Sequence, residues 1–173
     1  MVDWVLIVLI ALFTGVIVKY CDILEDDRRH QKLLNRIVLG MIYGFVLFFM
    51  VARFEFLAPL WIGIVLGLLM IGKIDAPSHY AGVSVFLVLL AFRGLSSLNL
   101  FLLILFIAVC VLEEMLNDHI DAHPIKKIQK LIEARPLLEI TAFFVSLLTG
   151  NWYFWLALLS LDVGYIFTTK LIK

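Results

Sequence analysis

Seven apolar segments separated by short polar connections occupy most of this 173-residue chain and restrict what it can fold into. A helix needs about 20 apolar residues to cross a 30 Å hydrocarbon core, so the shorter segments require snorkelling Lys and Arg or a thinner bilayer. Hydrophobic residues make up 64% of the chain, charged residues make up 16%, and the mean hydropathy is +1.07. Water-soluble domains avoid this balance because it would expose large apolar areas. The segments comprise residues 2–18, 37–52, 56–71, 80–92, 95–112, 137–148 and 152–168.

These features predict an all-α fold, a polytopic bundle of about seven transmembrane helices in a multi-pass protein of the cell membrane. No Gly/Ser-rich or Pro-rich linker divides the chain, so residues 1–173 are expected to form one integral membrane domain. If all seven segments cross, only Arg53 and Arg93 of the 14 basic residues fall on the side opposite to the others. By the positive-inside rule, the N-terminus lies outside and the C-terminus is cytoplasmic.

Two pairs of glycines stand four residues apart within apolar segments, Gly40 with Gly44 and Gly63 with Gly67. This spacing places small residues on one helix face and lets two helices approach closely. The pattern predicts tight helix packing at both places.

Three polar clusters fall on the predicted cytoplasmic side. The first spans residues 21–30, where Asp22 and Asp26 would share a face if the first helix continues past Tyr20. The second spans residues 72–79, where Pro77 favours a loop for Asp75 and His79. The third directly follows an apolar run, where a bare carboxylate is costly. It contains Glu113, Glu114, Asp118, His119, Asp121 and His123.

The ionisable residues of these clusters suit a divalent cation and a phosphate group. Mg²⁺ prefers oxygen ligands and often bridges carboxylates to substrate phosphates, which basic side chains also bind. The expected Mg²⁺ ligands are Asp22, Asp26, Asp75, His79, Glu114 and Asp118. The expected catalytic carboxylates are Asp22, Asp26, Glu114, Asp118 and Asp121. The expected phosphate-binding residues are Arg29, Lys126 and Lys127. The alternative is Zn²⁺, held by His79, His119 and His123 with a carboxylate.

Residues 21–36 and 114–124 resemble in layout the two Asp-rich motifs of UbiA-type membrane prenyltransferases. In that family the motifs follow helices on the cytoplasmic side and bind a prenyl diphosphate through Mg²⁺. The resemblance implies such roles for Asp22, Asp26, Asp118 and Asp121. The chain differs from the family in being much shorter than its nine-helix bundle and in having Cys21 where Asn is common.

Two further features lie outside the clusters. Asp162 falls near the middle of the last apolar segment, where an ionised carboxylate is costly, and should therefore face the bundle interior. Glu139 is a second carboxylate in an apolar segment, but it lies nearer the interface, where the cost is smaller. Residues 124–136 alternate apolar and basic positions between two prolines, which predicts an amphipathic helix in the headgroup layer. The basic face of this connector would alternatively cover a phosphate site.

The function expected from these residues is a metal-dependent enzyme that transfers or hydrolyses a lipid-linked phosphate or diphosphate. A small transporter or channel that uses Asp162 remains the alternative, together with an accessory membrane subunit. Membrane lipid is the expected partner, and a homo-oligomer or a larger membrane partner stays open. The sequence contains no nucleic-acid-binding motif.

Overall fold

The computed structural model describes residues 3–26, 32–122 and 136–172, which form seven α-helices without a β-strand. Four of these helices are long and apolar enough to cross a membrane, namely the first, second, fifth and seventh. The other three are apolar but shorter. The prediction of an all-α membrane helix bundle is confirmed. The helices are α1 (Asp3–Asp26), α2 (Leu33–Arg53), α3 (Ala58–Met70), α4 (Pro77–Arg93), α5 (Leu100–Ala122), α6 (Pro136–Thr149) and α7 (Tyr153–Ile172).

Side-chain contacts show which helix ends lie together. At one end of the bundle, Asp22 near the end of α1 contacts the first turn of α4 and the last third of α7, while Lys73 after α3 contacts α5. At the other end, Arg53 of α2 reaches Asp3, and Arg93 of α4 donates to the Ala52 carbonyl. The helices therefore alternate in direction as the hydropathy pattern predicts. We call the first of these ends the basic end, since the connections predicted to carry most Lys and Arg lie there.

Three pairs of helices pack most closely: α1 with α7, α2 with α4, and α3 with α5. The predicted glycine contacts are confirmed in two of them. A Cβ atom at Gly44 would lie 2.1 Å from the Gly82 carbonyl oxygen, and one at Gly67 would lie 2.8 Å from Cys110 Cβ. In the third pair, a Cβ atom at Gly15 would lie 2.0 Å from the Leu161 carbonyl oxygen. The backbones of α1 and α7, and of α2 and α4, are thus in direct contact.

Several boundaries differ from the sequence prediction. α1 continues to Asp26, so Asp22 is helical, and α5 runs on to Ala122, so Glu113, Glu114 and Asp118 are helical. His79 lies in the first turn of α4 and not in a loop, and this expectation was wrong. Pro77 begins the helix because proline at the first helical position has no N–H to lose and already has a helical φ. Asp75 does lie in the connection before α4.

Candidate functional site

A cavity of about 270 Å³ opens at the basic end of the bundle, among α1, α2, α3, α4, α5 and α7. Its inner part is apolar, and polar side chains surround its mouth. The apolar part is lined by Leu47, Trp61, Val65, Val83, Leu158 and Leu161. The mouth is lined by Asp22, Tyr43, Lys73, His79, Glu114 and Tyr165.

The first group at the mouth is a hydrogen-bonded set centred on Asp22, one turn before the end of α1. His79 Nε2 lies 2.9 Å from Asp22 Oδ1, and the Tyr165 hydroxyl donates to Asp22 Oδ2 at 2.6 Å. Lys19, one turn earlier on α1, donates to the Tyr165 hydroxyl oxygen at 3.2 Å and lies 3.8 Å from Asp22. Since an ionised carboxylate only accepts hydrogen bonds, Nε2 of His79 carries the proton, and Nδ1 is the acceptor of the neutral ring.

The second group surrounds Lys73, in the connection between α3 and α4. Its ammonium group pairs with Asp118 and lies 4.0 Å from Glu114, which is one helical turn earlier on α5. The Glu114 side chain is 11% exposed and lines the cavity, whereas the Asp118 side chain is 59% exposed. The two carboxylates stand four residues apart and so present oxygens on one helix face.

Buried polar contacts beside the mouth hold α4 in place. Glu25 on α1 forms an ion pair with Arg36 on α2, and both side chains are nearly buried. The same Glu25 accepts the backbone N–H of Ser78 at 3.0 Å, in the first turn of α4, where helix N–H groups have no partner within the helix. Tyr43 on α2 donates to the His79 carbonyl oxygen at 3.0 Å. Position and rotation of His79 therefore depend on α1 and α2.

Not every expected site residue reaches this cavity. Asp22, His79 and Glu114 line it, and Asp118 joins them through Lys73. Asp26 and Asp75 are exposed and absent from its lining, and His119 is exposed on α5. Asp121 lies in the last turn of α5. Arg29, His123, Lys126, Lys127 and most of the proposed connector at 124–136 fall outside the described residues.

No group of three or more His, Cys, Asp or Glu side chains within the described ranges is arranged to hold a metal ion. Glu114 and Asp118 nevertheless offer the one or two carboxylates with which proteins usually bind Mg²⁺, since waters and substrate phosphates supply its other ligands. Among the described residues, the expectation of a Mg²⁺ site therefore rests on Glu114 and Asp118.

Neither Lys19 nor Tyr165 was among the site residues predicted from the sequence. Each is a polar residue near the basic end of a long apolar helix, and Lys19 stands three residues before Asp22, on the same helix face. That spacing was a usable signal for Lys19. The contact of Tyr165 with Asp22 joins residues 143 positions apart and could not be read from spacing.

The carboxyl groups inside the bundle form a separate group. Glu139 on α6 is in side-chain contact with Asp162 on α7 and with Trp155. Glu113 on α5 accepts the backbone N–H groups of Leu137 at 2.8 Å and Leu138 at 3.3 Å, and so caps the start of α6. Neither Glu139 nor Asp162 lines the cavity.

Neither protein-family models, nor curated proteins, nor solved structures match this chain. The geometry of the cavity and its mouth is therefore the basis for assigning a function.

Proposed function

We propose that this membrane protein is a multi-pass enzyme of the cell membrane that acts on a lipid-linked phosphate or diphosphate at the cytoplasmic headgroup level, with a divalent cation. One observation carries the proposal: a mainly apolar cavity within the bundle ends in a mouth lined by a His–Asp pair, Lys73 and Glu114, with Lys19 and Asp118 paired to these side chains. A cavity of this kind accommodates an apolar chain and places its headgroup among the polar side chains.

The charges at the mouth support the need for a cation. Among the described side chains there, the carboxylates of Asp22, Glu114 and Asp118 face the ammonium groups of Lys19 and Lys73. A phosphate added to this excess of negative charge would be repelled unless a cation came with it. Glu114 and Asp118 would hold Mg²⁺, which when bound neutralises phosphate oxygens and stabilises a leaving oxygen. Lys73 would then pair with the phosphate.

His79 is the residue that we assign to proton transfer. Asp22 fixes the ring through Nε2–H, which leaves Nδ1 to accept a proton from water or from an acceptor hydroxyl. As that oxygen bonds to phosphorus, the bond from phosphorus to the leaving oxygen breaks, and the imidazolium returns its proton to the leaving group. Tyr165 and Lys19 position Asp22 through a hydrogen bond and an ion pair.

Decyl diphosphate tests this assignment with the full-length protein in detergent. With MgCl₂ we expect the Tm to rise with ligand concentration, and we expect release of inorganic phosphate. His79→Gln should slow the release about 100-fold or more, the contribution of a general base, while leaving the rise in Tm. Glu114→Gln should remove the dependence of binding on Mg²⁺. Glu55→Gln, a carboxylate at the opposite end, is the matched control.

The outcomes separate the proposed enzyme from its alternatives. Binding of the diphosphate without any turnover would contradict the enzyme and favour a protein that only binds or moves the lipid. Absence of binding with or without Mg²⁺ would remove the cavity from consideration. That outcome would favour the transporter hypothesis, with Glu139 and Asp162 as its polar residues.

A further inference from the structure

The cavity is small for a membrane lipid. Its volume of about 270 Å³ lies just below the 300–1,000 Å³ typical of pockets for drug-sized ligands. It extends inward from Lys73 after α3 to Trp61 in the first turn of α3. At 1.5 Å per helical residue, the depth is roughly 15 Å. A lipid with two acyl chains could therefore place only part of itself inside.

Two seams beside the cavity are closed by backbone contact. A Cβ atom at Gly164 on α7 would lie 2.2 Å from the Leu12 carbonyl oxygen on α1, and one at Gly40 on α2 would lie 2.0 Å from the Ser78 carbonyl oxygen on α4. Backbones this close leave no space for a hydrocarbon chain between them. A second chain could not enter between α1 and α7 or between α2 and α4.

In contrast, α3 and α4 are not closely packed against each other. α3 and α4 both line the cavity, through Val65 and Leu68 on one side and His79 and Val83 on the other. Few contacts join these two helices, since α3 packs on α5 and α4 packs on α2. This seam between described helices offers a ligand chain a passage from the bilayer into the cavity.

The inner end of the cavity is mainly apolar. Its polar groups are the Thr14 hydroxyl, which donates to the Ile10 carbonyl oxygen, and the Trp61 indole N–H, which has no acceptor among the described residues. Trp61 is 2% exposed and Leu158 is also 2% exposed, and no charged side chain lines the part of the cavity below the mouth. The buried portion of the ligand is therefore mainly hydrocarbon, because a charged group there would lose its hydration without a charged partner.

From these observations we infer that the ligand is a phosphate ester with a single apolar chain, and that glycerolipids with two chains are excluded. This inference rests on the proposed function and specifies its substrate class. The chain enters between α3 and α4, lies along Val65 and Val83, and ends at Trp61. The phosphate remains at the mouth.

The experiment compares probes that share the phosphate and differ in their chains, using the full-length protein in detergent with MgCl₂. The probes are decyl phosphate, didecanoyl phosphatidic acid and inorganic phosphate, and the measurement is the concentration needed to raise the Tm. We expect decyl phosphate to act at a concentration about tenfold or more below that of the two-chain lipid, a difference typical of pockets that lack room for a substituent. Inorganic phosphate should give no rise, which separates a lipid headgroup from free phosphate as the source.

A pair of variants on α4 tests where the apolar chain of the ligand binds. Val83 is 8% exposed and lines the cavity, whereas Val88 is 51% exposed on the outside of the same helix. Val83→Phe should weaken decyl phosphate binding about tenfold by occupying chain space, and Val88→Phe should leave it unchanged. If Val83→Phe does not fold, the comparison of the three probes on the wild-type protein still tests the single-chain inference.

If decyl phosphate and didecanoyl phosphatidic acid raised the Tm at equal concentrations, the single-chain inference would be wrong. Turnover of decyl diphosphate would in that case still support the proposed enzyme function. If neither decyl phosphate nor didecanoyl phosphatidic acid raised the Tm and decyl diphosphate were not turned over, the single-chain inference and the proposed enzyme function would both be wrong. Unchanged decyl phosphate binding by a folded Val83→Phe protein would contradict the location of the chain.

Discussion

At the scale of single residues, buried glutamates hold neighbouring helices together beside the candidate site. Glu25 is 5% exposed, pairs with Arg36 and caps α4 through the Ser78 N–H. Glu113 is 1% exposed and caps α6. The sequence marked Glu113 because it directly follows an apolar run. It did not mark Glu25, because Arg36 and Ser78 come from other helices and are brought to Glu25 only by the fold.

Replacing Glu25 by alanine should destabilise the protein strongly. The change leaves Arg36 charged without its carboxylate and removes an acceptor from the start of α4. We expect a loss of about 3 kcal/mol, typical of breaking one partner of a buried ion pair. Unfolding in a mixture of dodecylmaltoside with increasing SDS measures it.

The adjacent residue provides the control for this prediction. Asp26 is exposed, so Asp26→Ala should change stability by less than about 0.5 kcal/mol. Equal stability of the Glu25→Ala protein and the wild type would show that the Glu25–Arg36 pair contributes nothing to the fold.

At the scale of elements, the apolar segments and the glycine spacing predicted the helices and two of their close contacts. The boundaries near polar residues were harder to predict, since α1 and α5 both continue beyond their apolar segments into charged residues. A helix end at the surface of a membrane can be extended by solvated turns without changing its apolar pattern. Pro77 was interpreted as a helix breaker although it starts α4, because the same residue type has opposite effects at the first turn and in the interior.

The contact between α2 and α4 makes a prediction at this scale. In Gly44→Ala the new methyl group would lie against the Gly82 backbone, so the two helices must separate. We expect a destabilisation of about 1–3 kcal/mol, the usual cost of overpacking, together with weaker decyl phosphate binding because α4 carries His79 and Val83. The melting temperature and the binding assay measure both effects.

Ala91→Val is the control, since it enlarges an exposed position on α4. This variant should melt close to the wild type. A Gly44→Ala protein with unchanged Tm and unchanged ligand binding would mean that the close approach of α2 and α4 is not needed for either property.

At the scale of the whole molecule, the alternation of helix directions followed from the seven apolar segments and their short connections, and the positions of the basic residues agreed with it. What the sequence could not provide was the order of helices around the bundle. Asp22, His79 and Glu114 meet at one mouth because α1, α4 and α5 all border the cavity, whereas Asp26 and Asp75, close to them in sequence, are exposed to solvent. The spacing of polar residues along one helix shows which of them share a face, but it does not show which other helices that face contacts.

The orientation in the membrane can be tested with cysteines. Ser97 is exposed at one end of the bundle, and Lys170 is exposed near the end of α7 at the other. In intact cells a membrane-impermeant maleimide should label Ser97→Cys, and it should label Lys170→Cys only after permeabilisation. The native cysteines Cys21 and Cys110 are buried and provide a low background. The opposite labelling pattern would reverse the assignment of the cytoplasmic side.

The shortness of α3 has a consequence for the bilayer around the protein. Its 13 residues give a length of roughly 20 Å at 1.5 Å per residue, and Lys73 beyond it lies level with Asp118, about one turn before α5 ends. If the basic end is the cytoplasmic one, cytosolic water would follow the polar connection into a shallow depression near the headgroups. A water-soluble reactant could enter this depression from above while a hydrophobic one arrives from the side. The two would meet without either having to leave its own solvent.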